Sequence, residues 1–218
     1  MASGRRPSRV ARATVIALAA AAGLAACAAP DYHYVKSSSD RTFVRVPENW
    51  TLFDEDELLD SSSQSPEQLD QFKQLSWSVG FDARPEPAAD SILAPSRFPT
   101  GLVQVRTLLP SQRDSFSLAD LRSVLLPYDP LGDEAQEGGQ VEVLAARNVE
   151  RPGGFHGSEL LLNLTTPDGE VVKWRQVALL DSNVEKVHLL VVTCELGCYD
   201  EHESVIDGIV ESWKVEDR

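Results

Sequence analysis

The chain is poor in basic side chains. It carries 20 Lys and Arg against 34 Asp and Glu, a formal net charge of −14 over 218 residues. A surface of that sign repels phosphate backbones, which excludes nucleic acid as a partner class. Cysteine is scarce as well. Three residues cannot staple a disulfide-dense small scaffold. A membrane-spanning run is missing: the uncharged stretch from Ala13 to Ala26 has 14 residues, and a spanning helix needs roughly 20. No Gly-x-Ser-x-Gly turn, phosphate-cradling Gly-Lys-Ser/Thr loop or regularly spaced calcium loop occurs. What is present is ordinary globular composition, 42% apolar and 25% charged, in a length that suits one domain.

The first residues read as an export signal. Arg5, Arg6, Arg9 and Arg12 precede the short Ala-rich run, and small residues close it. Leu24-Ala25-Ala26-Cys27 resembles the lipobox of bacterial lipoproteins. That resemblance implies diacylglycerol on the Cys27 thiol and cleavage just before it, leaving residues 1–26 as the signal. Two acyl chains hold a protein stably at a membrane where one does not. Loss of residues 1–26 removes four arginines and no acid, taking the net charge from −14 to −18. A polybasic grip on anionic lipid is therefore excluded, and the lipid alone must do the anchoring. Residues 27–39, with a proline and a serine run, read as the lipidated start and a tether, and residues 40–218 as the domain.

The domain alternates strands with three short helices. Thr42–Val46 is a β run, and Trp50–Phe53 reads as the strand returning against it. Ser65-Pro66-Glu67-Gln68 marks a helix start. Leu75, Trp77, Val79 and Phe81 alternate with small or polar residues, as in a half-buried strand. Five proline and glycine positions between 82 and 101 predict a long surface loop, followed by a strand at 103–109 and a helix at 117–125. Runs at 141–149, 158–165, 171–180 and 186–193, separated by short turns, predict an antiparallel four-strand meander. A final helix at 201–213 carries Val205, Ile206, Ile209, Val210 and Trp213, with Asp200 and Glu203 as its expected cap. The fold class is α+β, an antiparallel sheet flanked by helices.

Val46-Pro47-Glu48-Asn49-Trp50 and the closing Ser212-Trp213-Lys214-Val215 resemble the opening and ending motifs of PsbP-like (Mog-type) domains, as carried by LpqN-type lipoproteins of actinobacterial envelopes. The resemblance spans about residues 40–216. It implies an α/β/α sandwich, binding or assembly roles, and no catalytic set.

The chemistry candidates are few. Cys194 and Cys198 are the cysteines that remain after Cys27 is lipidated. They form either a disulfide or, with His202 at the same four-residue spacing, part of a metal site. An exported setting and an incomplete ligand set favour the disulfide. His33, His156, His188 and His202 read as surface or satisfied histidines. The Asp54–Glu57 and Asp133-Glu134 clusters read as solvated loop charge. Trp50, Trp77, Trp174 and Trp213 read as core anchors. The expected function is a non-catalytic binding or assembly module at the extracytoplasmic face of the cell membrane, without a cofactor. The acidic surface and the 82–101 loop are its expected contact region. The alternatives are a lipid or glycolipid carrier with an apolar pocket and a cryptic hydrolase.

Overall fold

Alternation of apolar and polar residues drives the longest elements of this chain, its final helix aside, into antiparallel strands. A computed structural model describes residues 32–60 and 65–216. The signal segment and Cys27 lie outside the described residues. Strands β3 (Thr51–Phe53), β4 (Ser76–Asp82), β5 (Thr100–Thr107), β6 (Val141–Arg151), β7 (Phe155–Thr165), β8 (Val171–Leu180) and β9 (Lys186–Glu195) form a seven-stranded sheet in the order β3-β4-β5-β9-β8-β7-β6. The meander β6–β9 matches the sequence reading in order and pairing. A second sheet joins β1 (Tyr32–Ser37), β2 (Thr42–Pro47) and β10 (Lys214–Val215) in the order β1-β2-β10.

The helices are α1 (Glu55–Asp60), α2 (Pro66–Leu75), α3 (Pro110–Arg113), α4 (Leu118–Arg122), α5 (Asp133–Gly138) and α6 (Leu196–Ser212). Helix α2 starts as the sequence predicts. The Ser65 hydroxyl accepts from the Gln68 N–H, and the Gln68 side chain accepts from the Ser65 N–H. Ser117 and Asp120 cap α4 in the same reciprocal way.

Both faces of the large sheet are covered. On one face Phe81, Val103, Leu190 and Val192 pack against Val44 and Val46 of β2 and Tyr199, Ile206 and Ile209 of α6. On the other, Leu160, Leu162, Trp174, Leu189 and Val191 pack under Leu121 of α4 and the segment around it. One polar side chain, fully buried Gln176, lies within that second core. Its amide donates to the Leu121 and Arg122 carbonyls at 3.2 and 3.0 Å, which satisfies the open end of short α4.

Four expectations need correction. Residues 32–37, read as tether, form β1, because Val35 and Ser37 alternate inward and Tyr34 stacks on Phe43. The Thr51–Phe53 segment does not return against β2. It pairs with β4 in the other sheet, and the partners of β2 are β1 and β10. Strand β4 is covered on both faces: Ser78 and Gly80 are as buried as Phe81. Helix α6 begins at Leu196, five residues before its expected start. Asp200 therefore lies within the helix, where it pairs with Lys173 at 2.8 Å and caps nothing.

Candidate functional site

The predicted chemistry disperses across the fold. Cys194 ends β9 and Cys198 sits in the first turn of α6. They are joined by a disulfide, with Cα atoms 6.0 Å apart, and both are buried. His202 donates a ring N–H to the Cys198 carbonyl at 3.0 Å, a bond within the helix. No group of three metal-binding side chains occurs among the described residues. His33 reaches the Trp50 carbonyl at 3.1 Å and His156 the Gly154 carbonyl at 3.3 Å. His188 departs from expectation. It is buried on the α6 face of β9, edge-on to Phe155, and its Nδ1 has no partner among the described residues. Burial pushes its pKa down from 6.5 to about 4.

The acidic cluster at 54–57 builds local structure. The Asp54 and Glu57 side chains each accept the other's backbone N–H, closing the start of α1. Glu55 accepts from the Ser76 hydroxyl at 2.9 Å, and Asp56 pairs with Lys73 at 2.6 Å. Burial raises the Glu55 pKa, and the Ser76 bond only partly offsets it. The tryptophans divide between the cores, with Trp50, Trp77 and Trp213 on the α6 side and Trp174 on the other.

The proline-rich loop, observed as residues 83–99 between β4 and β5, is tightly organised. Fully buried Asp82 is its staple. Arg84 approaches both Asp82 oxygens through Nε and Nη2 at 2.7–3.0 Å, and the Ala88 N–H donates to Oδ2 at 3.2 Å. Arg84 also donates to the Ala88 carbonyl at 3.2 Å. Further along, Leu93 has φ of 66°, a left-handed conformation that costs a leucine about 1 kcal/mol or more. Its N–H is held by the Thr100 hydroxyl at 3.2 Å. Ser96 then closes the loop: its carbonyl accepts from the Glu195 N–H at 2.9 Å and its hydroxyl from the Phe98 N–H at 3.0 Å. Phe98 is left 40% exposed.

The same loop helps to roof one face of β4 and β5. Register pairs Ser76 with Arg106, Ser78 with Gln104 and Gly80 with Leu102, so these six residues share a face. Helices α1 and α2 and residues 89–93 cover it, leaving two clefts. One, of about 210 Å³, is walled by Leu58, Leu59, Phe72, Ile92, Leu93 and Leu102. The other, of about 260 Å³, lies between α2, β5 and α3, with Arg106 at its base and Phe72 as the shared wall. Neither Asp82 nor Arg106 stood out in the sequence. Asp82 with Arg84 two residues on, entering a proline run, is the signal that would have found the staple. Arg106 is read as the exposed phase of an alternating strand, and nothing local marks it otherwise.

No family model matches the chain, and no curated protein sequence matches it. Solved structures do. Cyanobacterial PsbP (CyanoP) from Synechocystis sp. PCC 6803 superposes with a TM-score of 0.50 at 16% identity, covering 88% of this chain and 96% of its own. The fold is PsbP-like. LpqN of Mycobacterium tuberculosis, described as involved in cell envelope biogenesis, gives 0.45 at 14% identity, covering 86% and 91%. The Saccharomyces cerevisiae Ran-binding protein Mog1p gives 0.42 at 12%, covering 87% and 97%. The Arg45 N–H donates to the Ser212 hydroxyl at 2.9 Å, and the Trp213 indole N–H donates to the Thr42 hydroxyl at 3.0 Å, so the closing motif is tied to β2, the strand that leads into the opening one.

Proposed function

We propose that this chain is a non-catalytic binding or assembly module of the cell envelope, moored by lipid on Cys27 at the extracytoplasmic face of the cell membrane. The single observation that carries the binding role is the pre-organised 83–99 loop. Ordering an irregular segment of this length normally costs free energy on binding. Here the cost is met in advance, by the buried Asp82–Arg84 pair and the Thr100 and Ser96 bonds. A long loop fixed against its own entropy, with strained backbone at Leu93 and an exposed aromatic at Phe98, is built for contact. The mooring rests on Leu24-Ala25-Ala26-Cys27 and the basic, Ala-rich leader before it. No helix among the described residues is long and apolar enough to cross a membrane. Only residues 28–31 separate Cys27 from β1, a reach of about 15 Å when stretched, so the module works close to the bilayer surface.

Site-specific photo-crosslinking in intact cells tests the binding role. A photoreactive residue at Phe98 should capture one discrete envelope partner, and Asp82→Asn should reduce the yield. The same yield from a probe at exposed Leu144, on the far edge of the sheet in β6, contradicts the reading. The carrier reading has one observation in its favour, the apolar cleft of about 210 Å³. Pockets for drug-sized ligands measure roughly 300–1,000 Å³, so this cleft accommodates only a short apolar group.

A further inference from the structure

Arg106 has an unusual position in a chain this acidic. It projects from β5 on the roofed face, at the base of the cleft bounded by α2 and α3. No salt bridge or hydrogen bond engages its side chain among the described residues, and its Nε is buried without an acceptor. Other arginines of the domain behave differently: Arg84, Arg113, Arg122, Arg147 and Arg175 each meet a carboxylate. Burial lowers the Arg106 pKa, with no neighbouring charge offsetting it, though an arginine stays protonated at any physiological pH.

The lining of the cleft explains what such a cation is for. No Asp or Glu lines it among the described residues. Its polar groups are the neutral side chains of Gln68, Gln71, Gln112, Ser76 and Thr107; the Ser76 hydroxyl is already engaged with Glu55 at 2.9 Å, and the glutamine amides and the Thr107 hydroxyl bring donors without negative charge of their own. Its apolar groups are Phe72, Leu75 and Leu109. A half-buried cation whose Nε–H is shut away from water without an acceptor is a cost to the fold, and it persists where a ligand supplies the counter-charge. A planar guanidinium with free N–H donors suits the two-oxygen edge of a carboxylate or phosphate.

We propose that this cleft binds a small amphiphilic anion, its carboxylate or phosphate seated on the Arg106 guanidinium and its apolar stem against Phe72, Leu75 and Leu109. The inference rests on the reading of the chain as a binding module and names a ligand class for it. Loss of anion binding with Phe98 crosslinking intact removes the ligand and leaves the module standing.

The test uses the full-length chain bearing Cys27→Ala, so that no protein-borne acyl group competes. Hexanoate, hexyl phosphate and uncharged hexanol are titrated by calorimetry, and the Arg106 Nε–H resonance is followed by NMR. At least one anion should bind and shift that resonance, while hexanol does not. Tighter binding of hexyl phosphate assigns a phosphate ligand, and tighter binding of hexanoate a carboxylate. Arg106→Gln should weaken binding roughly tenfold or more while leaving the melting temperature unchanged or higher. Leu109→Asp, at a 41% exposed rim position, should weaken it by placing negative charge at the mouth. Equal affinity of Arg106→Gln and wild type, equal binding of hexanol, or an unmoved Nε–H resonance overturns the proposal. So does an Arg106→Gln variant that fails to fold, because the arginine then serves the fold and not a ligand.

Discussion

At the scale of single residues, burial on both faces of the sheet sets the chemistry. His188 is the clearest case. Strand β9 is covered by α6 on one face and by the α4 segment on the other, and His188, 2% exposed, lines a cleft together with Asp40, Phe155, Asp181 and Lys186. Of the charges that act on it, Asp181 and Asp40 favour protonation and Lys186 opposes it. Burial outweighs all three and holds the pKa near 4. The folded state therefore takes up its proton less readily than the unfolded chain, whose histidine titrates near 6.5. The stability from neutral His188 is complete above pH 6.5 and is lost as pH falls toward 4, by about 3 kcal/mol in all. Urea unfolding at a series of pH values should show this slope in wild type and a flatter one in His188→Leu. Parallel curves would contradict it. Asp40 works in a separate window. Burial raises its pKa, but hydrogen bonds from Lys186, Ser37 and Ser39 outweigh burial and set it below 3.8, so its contribution is lost only under more acidic conditions. Gly101 shows the same crowding without charge. A Cβ there would fall within the Phe81 ring and against the Val191 carbonyl.

At the scale of elements, the junction between β9 and α6 is one of two connections made without a linker among the described residues, the other being α2 to β4. The helix follows the strand without a linker, and its first residues have no side-chain cap. The Cys194–Cys198 disulfide fixes this corner. Closing so short a loop is worth about 2 kcal/mol on the chain-entropy account. A Cys194→Ala/Cys198→Ala variant should lose about that much in denaturant unfolding, and a reductant should reproduce the loss in wild type. Indifference to reductant would mean that the thiols are free. The elements legible in sequence were those with local causes. Pro152-Gly153-Gly154, Pro167-Asp168-Gly169 and Asp181-Ser182-Asn183 punctuate β6 to β9, and Ser65 and Ser117 announce their helices. The elements that escaped depend on distant partners. Strand β1 exists because β2 offers an edge to pair with, and β2 is completed by Lys214 and Val215, some 170 positions away. The Arg106 cleft escaped for the same reason. A strand reading V-Q-V-R assigns its polar residues to solvent, and only the placement of α2 and α3 over that face encloses them.

At the scale of the whole molecule, the proposed mooring sets an acidic module against an anionic surface that repels it. With a net charge near −18 once the leader is gone, electrostatics cannot provide the mooring, so the account places all of it on Cys27. Cys27→Ala should move the protein from the membrane fraction to the detergent-free soluble fraction, with the domain still folded. Retention on the membrane would locate the anchor elsewhere. The role assigned to the anchored module depends on a contact surface that is already formed before its partner arrives. Amide hydrogen exchange across residues 83–99 measures that directly. The Ala88 and Leu93 amides, held by Asp82 and Thr100, should be strongly protected, and Asp82→Asn should release the loop while β6 to β9 stay slow. Exchange at Ala88 and Leu93 of the wild-type chain at the rate of a free peptide would contradict it.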